Sequence, residues 1–248
     1  MGDVHLEVDD GVALLTLDSA DVRNGLTPEM AGTLIRHCDA VDADPSIGAL
    51  VLTGANGTFC SGADTRRWNV QSDPAAPEAY TNSSRLYASF GRVGSLAVPT
   101  IAAGEGAAVG AGLNLLLATD LRIVSQTMRL IAGFARAGLH PGGGFFSLAG
   151  RRMGAEATAA ISVFDQEISG ERAVTLGLAW EAIEPSQVVP RALELARHAA
   201  VDPELSRQAV RSMRVELGPP QLTWPAAVEF ERGAQMWSFR RAQQEGQS

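Results

Sequence analysis

Apolar and polar residues alternate over residues 4–8 (VHLEV) and again over 12–18 (VALLTLD), the period-two pattern of strands. Asp9-Asp10-Gly11 between them is a hairpin signal. The period then lengthens. Thr27-Pro28-Glu29 supplies a cap, a first-turn proline and an acid at the positive end of a helix, and Met30, Leu34, Ile35, Cys38 and Val41 follow at helical spacing until Asp44-Pro45. Residues 47–53 (IGALVLT) are an apolar run of strand length, and the glycine-rich GANGTFCSGAD after them is a loop leading to another helical region. A Pro/Ala/Ser stretch at 72–77 reads as surface loop, and residues 80–96 have helical period. Strands are expected at 99–103 and 121–124, with a buried helix at 113–118 between them. Strand, helix and strand at this spacing imply βαβ units and a largely parallel sheet.

Beyond Gly142 strands become scarce. Only 178–183 looks extended, whereas 145–163, 170–176, 186–201, 203–216 and 225–243 read as helices. The last two carry apolar stripes (Leu205, Ala209 and Met213; Val228, Met236 and Trp237) and have little sheet left to cover, so they are expected to fold back or to pack on another subunit.

The composition narrows the chemistry. A 248-residue chain with 46% hydrophobic and 19% charged residues is an ordinary globular protein, one large domain or a core with an appendage. All 20 basic residues are arginines, which excludes Schiff-base chemistry, lysine-anchored pyridoxal phosphate and a Walker-type phosphate loop. A net charge of -8 argues against nucleic acid or an anionic membrane as partner. A polyanionic ligand must therefore be met by local arginines and helix N-termini. Cys38 and Cys60 make neither a disulfide framework nor a zinc site, so no metal is expected and the compartment is expected to be reducing. The acidic MGDVHLEVDD start lacks an apolar signal core, and the longest apolar stretch, 99–124, is broken by Glu105, Asn114, Asp120 and Arg122. A cytoplasmic protein without a membrane span is expected.

Three segments can carry chemistry. In FCSGAD, Phe59 to Asp64, Gly62 lets backbone approach a ligand and the Ala63 amide can face an oxygen; the plain alternative is a glycine turn from strand to helix. In AGEGAAVGAGLNL, 103–115, small residues end a strand and a buried helix aims its amides at negative charge, unless the glycines only allow close packing. In GLHPGGGFF, Gly138 to Phe146, His140 sits in a glycine-rich loop, where a lone histidine is catalytic, solvent-exposed or a satisfied core donor. No GxSxG, HExxH or paired CxxC motif occurs, so serine hydrolase and metalloenzyme chemistry have no support.

Together with RNGL (Arg23 to Leu26), these segments resemble the enoyl-CoA hydratase/isomerase family, the crotonases. RNGL is similar to the family's RNAL, FCSGAD to FxAGAD, EGAAVGAGLNLLLATDLRI to NGxAxGGGxELAxxCDxRI, and GLHPGGG to GxxPxxGG. ISGERAVTLGLAWEAIEP is similar to a helix-to-strand segment ending in GLV, and the likeness runs in order from about residue 4 to 200. The resemblance implies an α/β crotonase (ClpP/crotonase-like) spiral of repeated ββα units over residues 1–195, and a helical C-terminal trimerisation segment over 196–248. It implies an acyl-CoA substrate, with coenzyme A as part of the substrate and no separate cofactor. The thioester oxyanion falls to the backbone amides of Ala63 and Ala111, with Gly110 ahead of the second. Arg23 is placed near the CoA phosphates and Ser61, Gly62 and Asp64 near the adenine and pantetheine arm; Trp68 is expected either to line the acyl pocket or to sit in the core. A homotrimer, or a hexamer formed by two trimers, is implied as well.

Two departures bear on mechanism. The family's two hydratase glutamates fall on Asn114, which hydrogen-bonds water but cannot take its proton, and on Phe134, which does neither. Hydration by a glutamate pair is therefore not available, and His140 is the first candidate to replace it, ahead of Asp64, Glu105, Asp165 and Glu167. A second departure is the end at EGQS soon after Arg240-Arg241, where family members often continue into a basic, aromatic tail. Three readings stay open: an acyl-CoA enzyme of this family, another crotonase reaction (isomerisation, decarboxylation or thioester hydrolysis) using His140, and a silent acyl-CoA binder. A nucleotide-binding oxidoreductase is a remote fourth.

Overall fold

The computed structural model describes residues 2–64, 66–68 and 77–218. The chain opens with the expected hairpin, β1 (Asp3–Asp9) and β2 (Val12–Asp18), closed by Asp10 and Gly11, both at positive φ (46° and 72°). Helix α1 (Pro28–Ala43) follows, and the Thr27 hydroxyl accepts from the Met30 amide at 3.2 Å as its cap. Then come β3 (Ala49–Gly54), α2 (Pro77–Gly94), β4 (Thr100–Gly104), β5 (Ala107–Val109), α3 (Ala111–Ala118), β6 (Leu121–Ser125), β7 (Arg129–Ile131) and α4 (Phe145–Ser162). The described chain ends with β8 (Ile168–Ser169), α5 (Gly170–Thr175), β9 (Glu181–Ile183), α6 (Pro185–Ala200) and α7 (Pro203–Glu216).

Six strands form the main sheet in the order β1-β2-β3-β4-β6-β9, antiparallel at β1–β2 and parallel from β2 onward. Alternation along each strand feeds two cores. Leu15, Leu17, Leu50, Leu52 and Ala102 point to the side covered by α1 and α3, while Val12, Val51, Ile101 and Ala103 meet Val188, Ala192 and Ala196 of α6. Burial on both faces is why IGALVLT is an unbroken apolar run.

A second sheet, β5-β7-β8, was not foreseen. Its strands are two or three residues long, too short for any alternation to be read. With it, the chain repeats a unit in which one strand joins the main sheet, the next joins the small sheet, and a helix returns (β4-β5-α3, then β6-β7-α4). This is the expected spiral of ββα turns. Helix α3 starts two residues before the expected 113, because Gly110, at φ 52°, turns β5 directly into it. The strand expected over 178–183 is extended only from Glu181, with Leu178 and Ala179 buried ahead of it.

Helix α7 docks by its arginines. Arg207 donates to the carbonyls of Val41, Asp44 and Ile47 at the end of α1, and Arg214 pairs with Asp120 and reaches the Val98 carbonyl. The stripe of Leu205, Ala209 and Met213 lies on its exposed side, with Val210 facing in. The helix expected at 225–243 lies outside the described residues.

Candidate active site

The segment after β3 runs as an extended thread between two neighbours. On one edge Cys60 exchanges hydrogen bonds with β5: its amide donates to the Ala107 carbonyl and its carbonyl accepts from Val109, each at 3.0 Å. On the other edge Leu26 donates to the Gly62 carbonyl (2.8 Å) and accepts from the Asp64 amide (2.9 Å). Ala63 lies between those two, so in an extended chain its own N–H points to the opposite edge, toward β5 and α3. Gly62 has φ 103°, and a Cβ there would fall 2.8 Å from the Val109 carbonyl oxygen and 3.9 Å from the Ala111 nitrogen. A Cβ on Gly112 would come within 2.3 Å of the Cys60 carbonyl oxygen. Only glycine allows these approaches.

Ala111 is the first residue of α3, so its N–H has no carbonyl within the helix and sits at the positive end of the helix dipole. The strand edge at Ala63 and the helix start at Ala111 thus meet with a backbone donor on each. Cys60 itself is inert: burial pushes its thiol up to about 12.

The loop before α1 is built into this arrangement by a residue the sequence analysis passed over. Asn24 is buried in the left-handed region (φ 58°), accepts from the Ser19 amide at 2.8 Å and donates to the carbonyls of Ala55 (2.8 Å) and Thr58 (2.6 Å). The signal was there, since asparagine tolerates that backbone and its amide bonds in both directions. Arg23 beside it accepts from the Ser61 amide at 3.0 Å through its carbonyl while its side chain is exposed. The Ser61 hydroxyl donates to the Val22 carbonyl at 2.6 Å.

Asp64 and Trp68 hold a turn. The Asp64 carboxylate accepts from the Arg66 amide at 3.2 Å, and its carbonyl accepts from the amides of Arg67 and Trp68. Trp68 is buried and its indole N–H donates to the Leu26 carbonyl at 2.6 Å. Glu105, which burial alone raises above the ordinary carboxylate range, accepts from the Phe59 amide through its carbonyl. Asp165 and Glu167 are taken up in surface pairs with Arg136 and Arg129.

On α3, one turn beyond Ala111, Asn114 is 1% exposed. Its Nδ2 donates to the carbonyls of Gly142 (2.9 Å) and Gly143 (3.4 Å). Those two acceptors orient the amide, leaving Oδ1 buried with no donor among the described residues. Such an orphan acceptor costs about 1–3 kcal/mol. Phe134 is half-buried and packs edge-on against Phe145, with ring centroids 5.4 Å apart. Neither of the two positions that the motif resemblance assigns to the hydratase glutamates carries an acid or base.

His140 is exposed. Its Nδ1 lies 2.7 Å from the Pro141 carbonyl oxygen, which makes Nδ1 the donor and leaves Nε2 as the basic nitrogen of the neutral ring; the ring stands 5.8 Å from that of Phe146. No described contact joins it to Ala63, Ala111 or Asn114, but it precedes by two residues the glycine that Asn114 holds. Among the described residues no group of three or more His, Cys, Asp or Glu is placed to hold a metal ion, and no helix is long and apolar enough to cross a membrane.

A family model described as enoyl-CoA hydratase/isomerase matches residues 7–246. The chain belongs to the enoyl-CoA hydratase/isomerase family. This family member is 40% identical over 221 residues to the probable enoyl-CoA hydratase EchA14 of Mycobacterium tuberculosis, covering 88% of the chain and 84% of that relative. It is 31% identical over 240 residues to the 1,2-epoxyphenylacetyl-CoA isomerase of Escherichia coli, covering 95% and 89%. Among solved structures, a probable enoyl-CoA hydratase/isomerase from Mycobacterium abscessus superposes with a TM-score of 0.86 at 28% identity, covering 96% of the chain and 91% of the other. An enoyl-CoA hydratase from Polaromonas superposes at 0.88 with 24% identity over 97% and 93%, a likeness of fold alone. The crotonase fold and an enzyme of the hydratase/isomerase family follow.

Proposed function

We propose that the chain transforms an acyl-CoA thioester by enolate chemistry, with the thioester oxygen held by the N–H groups of Ala63 and Ala111, and that it does not add water through a carboxylate pair. The observation that carries this reading is the combination of an intact amide pair with Asn114 and Phe134 where hydratase chemistry needs acids. One oxyanion donor is worth about 2.7–4 kcal/mol in a transition state, and it is a backbone group that side-chain change leaves in place. A general acid or base contributes about 10²- to 10⁴-fold, so without either glutamate hydration is slow.

In this reading His140 Nε2 takes the proton from the carbon beside the thioester as the electron pair moves to the carbonyl oxygen, then returns a proton to the same or a conjugated carbon. The net change is isomerisation or exchange, with no cofactor beyond the coenzyme A of the substrate. Arg23, exposed at the rim beside Ser61, is proposed to meet the CoA phosphates bidentately. Assembly as a trimer or a pair of trimers is part of the same proposal.

The test is mass spectrometry of a panel of acyl-CoAs incubated in deuterated water with wild type and His140→Ala. Deuterium beside the thioester, or a new isomer, that is lost in the variant is the expected result. An unchanged panel, with the same CoAs still raising the melting temperature, assigns the chain to binding and overturns the catalytic reading. Stoichiometric 3-hydroxyacyl product from wild type overturns the exclusion of hydration.

A further inference from the structure

The loop from Gly138 to Gly144 is held on two sides. From α2, Tyr87 and Phe90 close on it: a Cβ on Gly142 would lie 2.4 Å from the Tyr87 hydroxyl, and one on Gly143 would lie 2.7 Å from the Phe90 ring. From α3, the side-chain amide of Asn114 reaches both glycines, and the same Cβ on Gly143 would lie 2.6 Å from its Nδ2. Gly143 is at φ 65°, a backbone that fits this gap only without a side chain. The outer segment, 135–140, is exposed and is tied by the Arg136–Asp165 pair and by its own turn bonds, whereas the inner glycines, 142 and 143, are fixed by these inward contacts.

We propose that Asn114 is a positioning residue that clamps the 138–144 loop to α3 and thereby sets the place of His140 relative to the Ala111 amide one turn earlier; the catalytic half of this statement rests on the enolate reading above. Asn114 is suited to the task by the two donors of Nδ2, which face two carbonyl oxygens. A carboxylate at the same position offers no donor and sets negative charge against both oxygens. The position where the family's hydratases place an acid has, in this chain, become a backbone fastener. Its unpaired Oδ1 marks the amide as held from the Nδ2 side alone.

The experiment compares Asn114→Asp, close in shape and lacking the donors, with Asn114→Leu, and with Gly143→Ala, which disturbs the same contact from the loop. Hydrogen exchange is followed at the amides of Leu139 and Phe145, which bond to the Phe134 and Gly142 carbonyls. Exchange about tenfold faster in all three variants is expected, the factor that loss of one or two such bonds gives. Acetyl-CoA affinity is expected to stay unchanged. Deuterium incorporation into the best acyl-CoA should fall through kcat with KM unmoved. Asn114→Leu added to His140→Ala should cost nothing beyond His140→Ala alone, because one residue acts through the other.

Unchanged exchange with lost turnover, additive losses in the double variant, or new hydratase activity in Asn114→Asp would each overturn the clamp. If Asn114→Leu fails to fold, Asn114→Asp and Gly143→Ala carry the same readout. Should wild type incorporate no deuterium from any acyl-CoA, the functional reading falls while the exchange rates still decide whether the clamp exists.

Discussion

The strand-and-helix junction at 60–64 and 107–114 and the loop at 135–146 face the same end of α3, yet they are built on opposite principles. At the junction the proposed groups are backbone N–H, their spacing is set by glycines that no larger residue can replace, and Cys60, Ala108, Leu113 and Asn114 beside them are buried. In the loop the groups are side chains on an exposed, glycine-rich turn held by a few contacts. Backbone donors survive replacement of almost any side chain, whereas acid–base groups vanish with a single substitution. Under the proposed reading, a family member keeps its means of stabilising an enolate while its proton chemistry is rewritten, and Asn114 and Phe134 are where that rewriting falls.

The largest effect that would break this contrast is expected at the junction. Gly62→Val forces a Cβ to 2.8 Å from the Val109 carbonyl oxygen at φ 103° and pushes the Ala63 amide away from Ala111. Turnover of the best acyl-CoA should drop by about 10²- to 10³-fold, the size of losing one oxyanion donor; if kcat survives, the amide pair is not the seat of the chemistry. Next comes Asn24→Ala, which abandons two carbonyls and one amide in a buried site. A destabilisation of about 3 kcal/mol is expected from urea unfolding, at about 1–3 kcal/mol for each orphaned group.

A smaller, graded test uses the two thiols. Burial pushes Cys38 and Cys60 alike up to about 12, so at pH 8 neither should react with iodoacetamide until the protein unfolds. Labelling of native Cys60 would show that the junction opens and is less rigid than the loop. The smallest effect is at the surface, where Arg129 holds the Glu167 carboxyl below its ordinary range through two hydrogen bonds. A carboxylate with a lowered folded pKa contributes stability above its unfolded value and loses it as pH falls through the folded one. Arg129→Met should therefore lower stability slightly at pH 6 and leave it unchanged near pH 3, where Glu167 is protonated with or without the arginine, read from melting temperature between those values.

Long amphipathic elements were legible because their periodicity is long enough to register. Helices α1, α6 and α7 begin and end within a residue or two of their caps and prolines, and the hairpin turn at Asp10-Gly11 lies where its dipeptide says. Strands β5, β7 and β8 were not legible, since their pairing is decided by partners far along the chain rather than by local pattern. In the site, the glycine-rich segments announced close backbone approach, which occurs at Gly62 and Gly112, while Gly110 serves as a positive-φ turn. Asn24 and the bond from Asn114 to the 142–143 carbonyls did not, because a buried amide's task depends on which carbonyls the fold brings to it.

The arginines of α7 also bear on the order in which the molecule assembles. Arg207 fastens to Val41 and Ile47 across 166 and 160 residues of chain, and Ser206 reaches the Gly48 carbonyl across 158. Contacts so distant in sequence are entropically late. On a polypeptide leaving the ribosome, the end of α1 and the start of β3 wait for partners synthesised long after the strands and helix that carry Ala63 and Ala111. The docking of α7 is thus a late stitch, made after the segments that carry Ala63 and Ala111 have been synthesised.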